Sequence, residues 1–180
     1  MTSPPLATAQ LRAALWNRPA ARVHAVIDGS VLPGLPERLR AARCVGWDCL
    51  QRGALTPAAA AQAAYIVELQ PEADFTTWLL GEACAAFEGW GVLTSSTRPL
   101  LAMREHSRQL SEMRTPEGRR RPWRWWDAEL LALLLPTLAP SQLDAVFALD
   151  QQLVSPAARR WTWWQRRDGM LDTQTRERVA

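Results

Sequence analysis

The chain has 180 residues, 48% of them hydrophobic and 22% charged, with a formal charge of +3 and a pI of about 9.2. That is the length and balance of about one globular domain, which can bury a core without disulfides or metal. So small a net charge argues against a dedicated nucleic-acid arm, although all 21 basic residues are arginine and ten residues are tryptophan.

The predicted elements run as follows. Residues 1–9 form a loose lead-in, and Gln10 to Asn17 a short helix with Leu11, Ala14 and Leu15 on one side, stopped by Pro19. Arg22 to Asp28 is the first strand, ended by the turn residues Asp28, Gly29 and Ser30. Pro33 to Arg43 reads as a helix and Gly46 to Leu50 as a short strand. Thr56 and Pro57 supply an N-cap and a first helical residue, and Tyr65 to Leu69 form the next strand. A helix follows from Asp74 to about Phe87, then a strand from Trp90 to Ser95 and a long helix from Thr97 to about Arg114.

Thr115 to Gly118 fits a type I turn. The stretch Arg119-Arg120-Arg121-Pro122-Trp123-Arg124-Trp125-Trp126-Asp127 then reads as a strand. Alternation would put Trp123 and Trp125 on the core side and Arg124 and Trp126 on the other. Asp127 would cap a helix over Leu130 to Leu138 that is apolar nearly all round and hence buried. Ser141 with Asp144 resembles a capping box for a helix to about Asp150. Arg159 to Arg167 predicts a last strand closed by Asp168 and Gly169, with a polar, frayed end beyond Met170. Strands alternating with helices give an α/β class, a mixed sheet of about five or six strands flanked by helices.

Cys44, Cys49, Cys84, His24 and His106 fall at no zinc-ligand or disulfide spacing. No Gly-x-Ser-x-Gly occurs, and Gly89-Trp90-Gly91 follows a helix and lacks the third glycine of a dinucleotide fingerprint. Asp28 and Asp127 both sit at strand ends and could in principle form a two-carboxylate hydrolase site, but turn and cap roles explain them better. The Arg/Trp clusters could instead track phosphates and stack bases, which leaves a nucleic-acid-binding module as the main alternative. Residues 1–10 lack the regions of a signal peptide, and no apolar run reaches the length of a membrane span.

Several landmarks in order carry a family resemblance: Val26-Ile27-Asp28-Gly29-Ser30, Tyr65 to Leu69, Gly89-Trp90-Gly91-Val92, a long helix, Pro116-Glu117-Gly118, and Arg124-Trp125-Trp126-Asp127. Together they resemble the type VI secretion effector adaptor/chaperone domain of bacteria, long catalogued as a domain of unknown function. The chain departs from that pattern at Ala128, where proline is usual, and at Glu129, where arginine is usual. The resemblance implies a cytoplasmic, non-enzymatic helper with no cofactor or metal. It would bind one cognate effector and load it onto the spike-tip protein, without nucleic acid or membrane insertion. It divides the chain into a lead-in (1–21), an adaptor domain (22–150) and a variable carboxy-terminal extension (151–180) suited to partner choice. Expected partner-binding residues are Arg124, Trp126, Trp161, Trp164, Arg166 and Arg167, and expected motif residues are Asp28, Gly29, Gly118 and Asp127.

Overall fold

The computed structural model describes residues 8–44, 46–114 and 119–178. Its elements in chain order are α1 (Thr8–Leu15), β1 (Arg22–Asp28), α2 (Leu35–Ala41), β2 (Gly46–Cys49), α3 (Pro57–Gln62), β3 (Ala64–Leu69) and α4 (Asp74–Trp78). A π-helical turn (Leu79–Ala83) leads into α5 (Cys84–Ala86), β4 (Gly91–Ser96), α6 (Leu100–Leu110), β5 (Glu112–Arg114) and β6 (Arg120–Pro122). Then come α7 (Ala128–Leu134), α8 (Pro140–Val146), β7 (Gln152–Pro156), β8 (Arg160–Arg167) and β9 (Met170–Glu177). Among the described residues no helix is long and apolar enough to cross a membrane.

Seven of these strands form one sheet in the order β2-β3-β1-β4-β7-β8-β9, and β5 and β6 form a separate hairpin. The layered α/β class follows from the sequence pattern, but the sheet is larger than expected and every pair in it is antiparallel rather than mixed. A helix between two strands suggests a parallel crossover. Here β1 instead lies between β3 and β4, neither of which follows it directly in the chain, and runs opposite to both.

Period-two alternation splits the core between the two faces of the sheet. On one face Val23, Ala25 and Ile27 of β1 pack with Leu11 and Leu15 of α1, Leu35 and Leu39 of α2, and Leu79 and Leu80 of the π-helical turn. On the other, Val26 packs with Ile66, Val92, Met103 of α6, Trp125, Leu131 of α7 and Val146 of α8. Trp161 and Trp163 of β8 join the first face and Trp164 the second, as alternation in an internal strand requires. At the start of β4, Gly91 has φ +150°, and a Cβ there would lie 1.9 Å from the Val26 carbonyl oxygen. Only glycine lets β4 come this close to β1.

Several expected elements change. The long helix ends at Leu110, and Glu112 to Arg114 pair with Arg120 to Pro122. The intervening turn, Thr115 to Gly118, lies outside the described residues, and Gly118 with it. Residues 123–127 form a turn, not a strand, so alternation does not apply; Trp123, Trp125 and Trp126 all pack on the same core cluster. The helix after them is not buried all round, since Leu130 and Leu133 are exposed. The next helix begins at Pro140, and the Gln142 side chain accepts from the Ala139 amide at 2.8 Å. Asp144, expected in that cap, pairs instead with Arg166.

The end of the chain differs most. Residues expected to be an extension continue the sheet, because β7 pairs with β4, β8 with β7, and the polar stretch beyond Met170 is β9. The turn Asp168-Gly169, with φ of 50° and 79°, closes the β8–β9 hairpin. Positive φ at both central residues is the signature of a type I′ turn, whose twist suits a hairpin.

Candidate functional site

The β1 strand ends in a carboxylate that faces the same side of the sheet as Val26. Asp28 is buried, and four donors converge on it. The Ser30 amide and hydroxyl reach Oδ1 at 2.9 and 2.5 Å, and the Trp126 indole N–H reaches Oδ2 at 2.8 Å. The Arg124 guanidinium also donates to Oδ2. The local part of this cluster follows from sequence, since an aspartate readily accepts from the backbone and hydroxyl two residues on. Gly29 between them is equally constrained: a Cβ there would meet the carbonyl oxygens of Ala63 at 2.5 Å and Ala61 at 2.7 Å.

The distant part joins residues 96 and 98 positions apart. The 123–127 turn carries it to Asp28. Trp125 anchors that turn, buried in the core with its indole N–H on the Ser107 carbonyl at 3.0 Å. Asp127 then ends the turn as the N-cap of α7, accepting from the amides of Glu129 at 3.0 Å and Leu130 at 3.2 Å. The clamp and the cap together fix where α7 starts and which way it points.

Burial alone would raise the Asp28 carboxyl, but the Ser30 hydroxyl, Trp126, the Ser30 amide and the Arg124 charge outweigh it and hold the group below its ordinary range. An ionised carboxylate whose two oxygens already take four donors is a poor general base. Asp127 is likewise engaged, in capping. Asp28 and Asp127 therefore hold structure together in this arrangement, one closing a clamp and the other starting a helix.

The structure divides the expected partner-binding residues. Trp126 is half-buried, and its polar edge is spent on Asp28. Trp161 and Trp164 lie in the core, so neither is a surface anchor. Arg166 is largely covered, with its Nε 2.5 Å from Asp144. Arg124 keeps about half of its side chain in solvent while bound to Asp28, and Arg167 is exposed beside Asp172. These residues do not form one site: Arg124 and Trp126 belong to the clamp, and the others to β8. The sequence reading missed Ser30 as a ligand of Asp28, although its spacing signals it. It also missed Leu130 and Leu133, 37% and 69% exposed on α7. An all-round apolar pattern gives no signal for which side stays open.

A family model described as "Domain of unknown function (DUF4123)" matches residues 23–145, about two-thirds of the chain. The matched span includes both halves of the Asp28 clamp and all of α7. Neither the curated proteins nor the solved structures contain a match.

Proposed function

The chain belongs to the DUF4123 family, and from that premise and the geometry of the clamp we propose that it is an adaptor/chaperone for a type VI secretion effector. It works in the cytoplasm, holds one effector protein and hands it to the spike-tip protein, without performing chemistry itself. The observation that carries this reading is the exposed apolar side of α7, with Leu133 69% and Leu130 37% in solvent, on the helix that follows the turn bearing the half-exposed Arg124. Leucines left open on a helix held by a cap at its start, and in the preceding turn an arginine held by a buried carboxylate, supply what a protein interface needs: apolar area and a cationic anchor at low ordering cost. Glu129 stands in the first turn of the same helix, so the partner face here carries a carboxylate where the family pattern has arginine.

Co-expression with the effector encoded beside it, followed by affinity capture, tests the reading. Leu133→Asp places a charge at the exposed position and should weaken capture by roughly thirtyfold, the equivalent of about 2 kcal/mol at a central interface residue. The melting temperature should stay unchanged, because Leu133 contributes little to the core. Full capture by the Leu133→Asp protein would remove α7 from the interface, and no capture by the native chain would remove the adaptor reading itself.

A further inference from the structure

The β9 strand is eight residues long, pairs with β8 along its whole length, and among the described residues has no strand on its outer side. It contains no proline, glycine or bulge, three of the devices that commonly blunt an exposed edge. In a hairpin closed by a two-residue type I′ turn, the flanking pair Arg167 and Met170 exchange hydrogen bonds, and such pairs recur at every second residue. The Arg178 amide donates to the Arg159 carbonyl at 2.7 Å, which fixes the same phase from the other end. Met170, Asp172, Gln174 and Arg176 therefore turn their backbone groups toward β8. Leu171, Thr173, Thr175 and Glu177 turn theirs outward, giving four N–H and C=O sets at the spacing of an incoming strand.

The hairpin that ends in this edge is positive on balance, while β9 itself carries Asp172 and Glu177 against Arg176. Residues 159–178 carry six arginines against three carboxylates, which is the whole formal charge of the chain, since the remaining arginines and acids balance. On one face of the hairpin a hollow of about 390 Å³ is lined by Arg18, Arg167, Arg176, Gln165, Gln174 and the edge of Trp163. Arg18 is already held by Asp150 and the exposed Arg167 lies 3.8 Å from Asp172, while Arg176 lies 5.4 Å over the Trp163 ring. Arginine forks are suited to bidentate capture of carboxylates, and glutamine amides can meet either polar end of a peptide group.

We infer that β9 is a strand-addition site that takes an extended, acidic segment of a partner protein as an eighth strand. Outward backbone groups supply the ladder, and acidic side chains at alternate positions of the segment reach Arg176 and Arg167. A second copy of the chain is disfavoured as occupant, because antiparallel pairing of two β9 strands would bring together two hairpins with the same positive excess. The inference rests on the adaptor reading and names the kind of segment such a partner would offer.

The test uses the full chain and a fluorescein-labelled decapeptide of alternating glutamate and valine, read by anisotropy. The peptide should bind saturably, at least tenfold more tightly than its lysine/valine counterpart, and more weakly as salt rises. N-methylation of every second peptide amide, in the register that faces β9, should lower affinity at least tenfold with the native protein. Thr173→Pro removes one outward N–H and no N–H of the β8–β9 ladder, so it should do the same while circular dichroism stays native. Equal binding of the methylated and unmethylated peptides, or none of either, overturns the inference. So does a concentration-dependent dimer that Thr173→Pro abolishes, which would make the edge a self-association site. Effector capture that survives Thr173→Pro but fails in Leu133→Asp refutes strand addition and leaves the adaptor reading standing. Peptide binding without effector capture does the reverse.

Discussion

Asp28→Asn is the substitution that best isolates the clamp. It preserves the shape of the side chain but replaces a carboxylate with one acceptor and one donor end. In the native chain both ends accept: Oδ1 from Ser30, Oδ2 from Trp126 and Arg124. Whichever way the amide turns, its NH₂ group faces donors. If it faces Trp126 and Arg124, two hydrogen bonds to a buried anion are lost, each worth roughly 1.5–3 kcal/mol. The Arg124 contribution is discounted toward the low end, because about half of that side chain is in solvent. The expected loss is about 3 kcal/mol, or a fall in melting temperature of roughly 6–12 °C for a chain of this length. Urea unfolding followed by tryptophan fluorescence at pH 7 measures it. Its acid dependence is a second check. The folded-state carboxyl is held below its unfolded value, so its contribution is present above the unfolded pKa and is lost as pH falls through the folded one. The gap between native and Asp28→Asn proteins should therefore narrow below about pH 4. A loss under about 1 kcal/mol at pH 7, or a gap that does not change with acid, would refute the clamp as a stabilising element.

Two further outcomes are expected of the fold. Gly91→Ala should fail to give folded, soluble protein, because its Cβ would enter the Val26 carbonyl at 1.9 Å with φ at +150° and the contact is backbone on backbone; native-like circular dichroism from that variant would contradict the packing of β4 on β1. His24, fully buried in β1, is pushed down to about 4 by burial and then by the Arg22 charge. The unfolded chain takes up this proton near pH 6.5 and the folded one near 4, so stability should fall with acid between those values, by at most about 1.4 kcal/mol per pH unit from this residue. His24→Gln should flatten that slope in urea titrations, and an unchanged slope would assign it to other groups.

Much of the fold was legible locally. The β1 strand, the Thr56 cap with its bond to Ala59, the Asp127 cap and the β8 strand with its two-sided tryptophans follow from residue type and spacing, because each depends on neighbours a few positions away. The β9 strand was hidden because an edge strand exposed on much of its surface reads as a polar tail. Its signal lay in Asp168-Gly169, a hairpin turn that needs a strand on either side. The region of the candidate site was legible as well, since Asp28, Arg124, Trp126 and Asp127 stand out as motif residues. The joint role of Arg124 and Trp126 was not, because a strand reading of 119–127 turned both away from the core instead of onto Asp28.

The sequence by itself determined where β1 ends, that Asp28 sits in a turn with Ser30, that Asp127 starts a helix, and that the chain forms α/β layers. These are short-range consequences of backbone preference and periodicity. Only the tertiary structure decided that Asp28 and the Arg124–Trp126 turn meet across nearly a hundred residues, that all seven strands run antiparallel, and that Leu133 rather than Trp164 faces solvent. A buried carboxylate selects its partners by which donors the packed sheet and helices bring within about 3 Å, and no local spacing encodes that meeting.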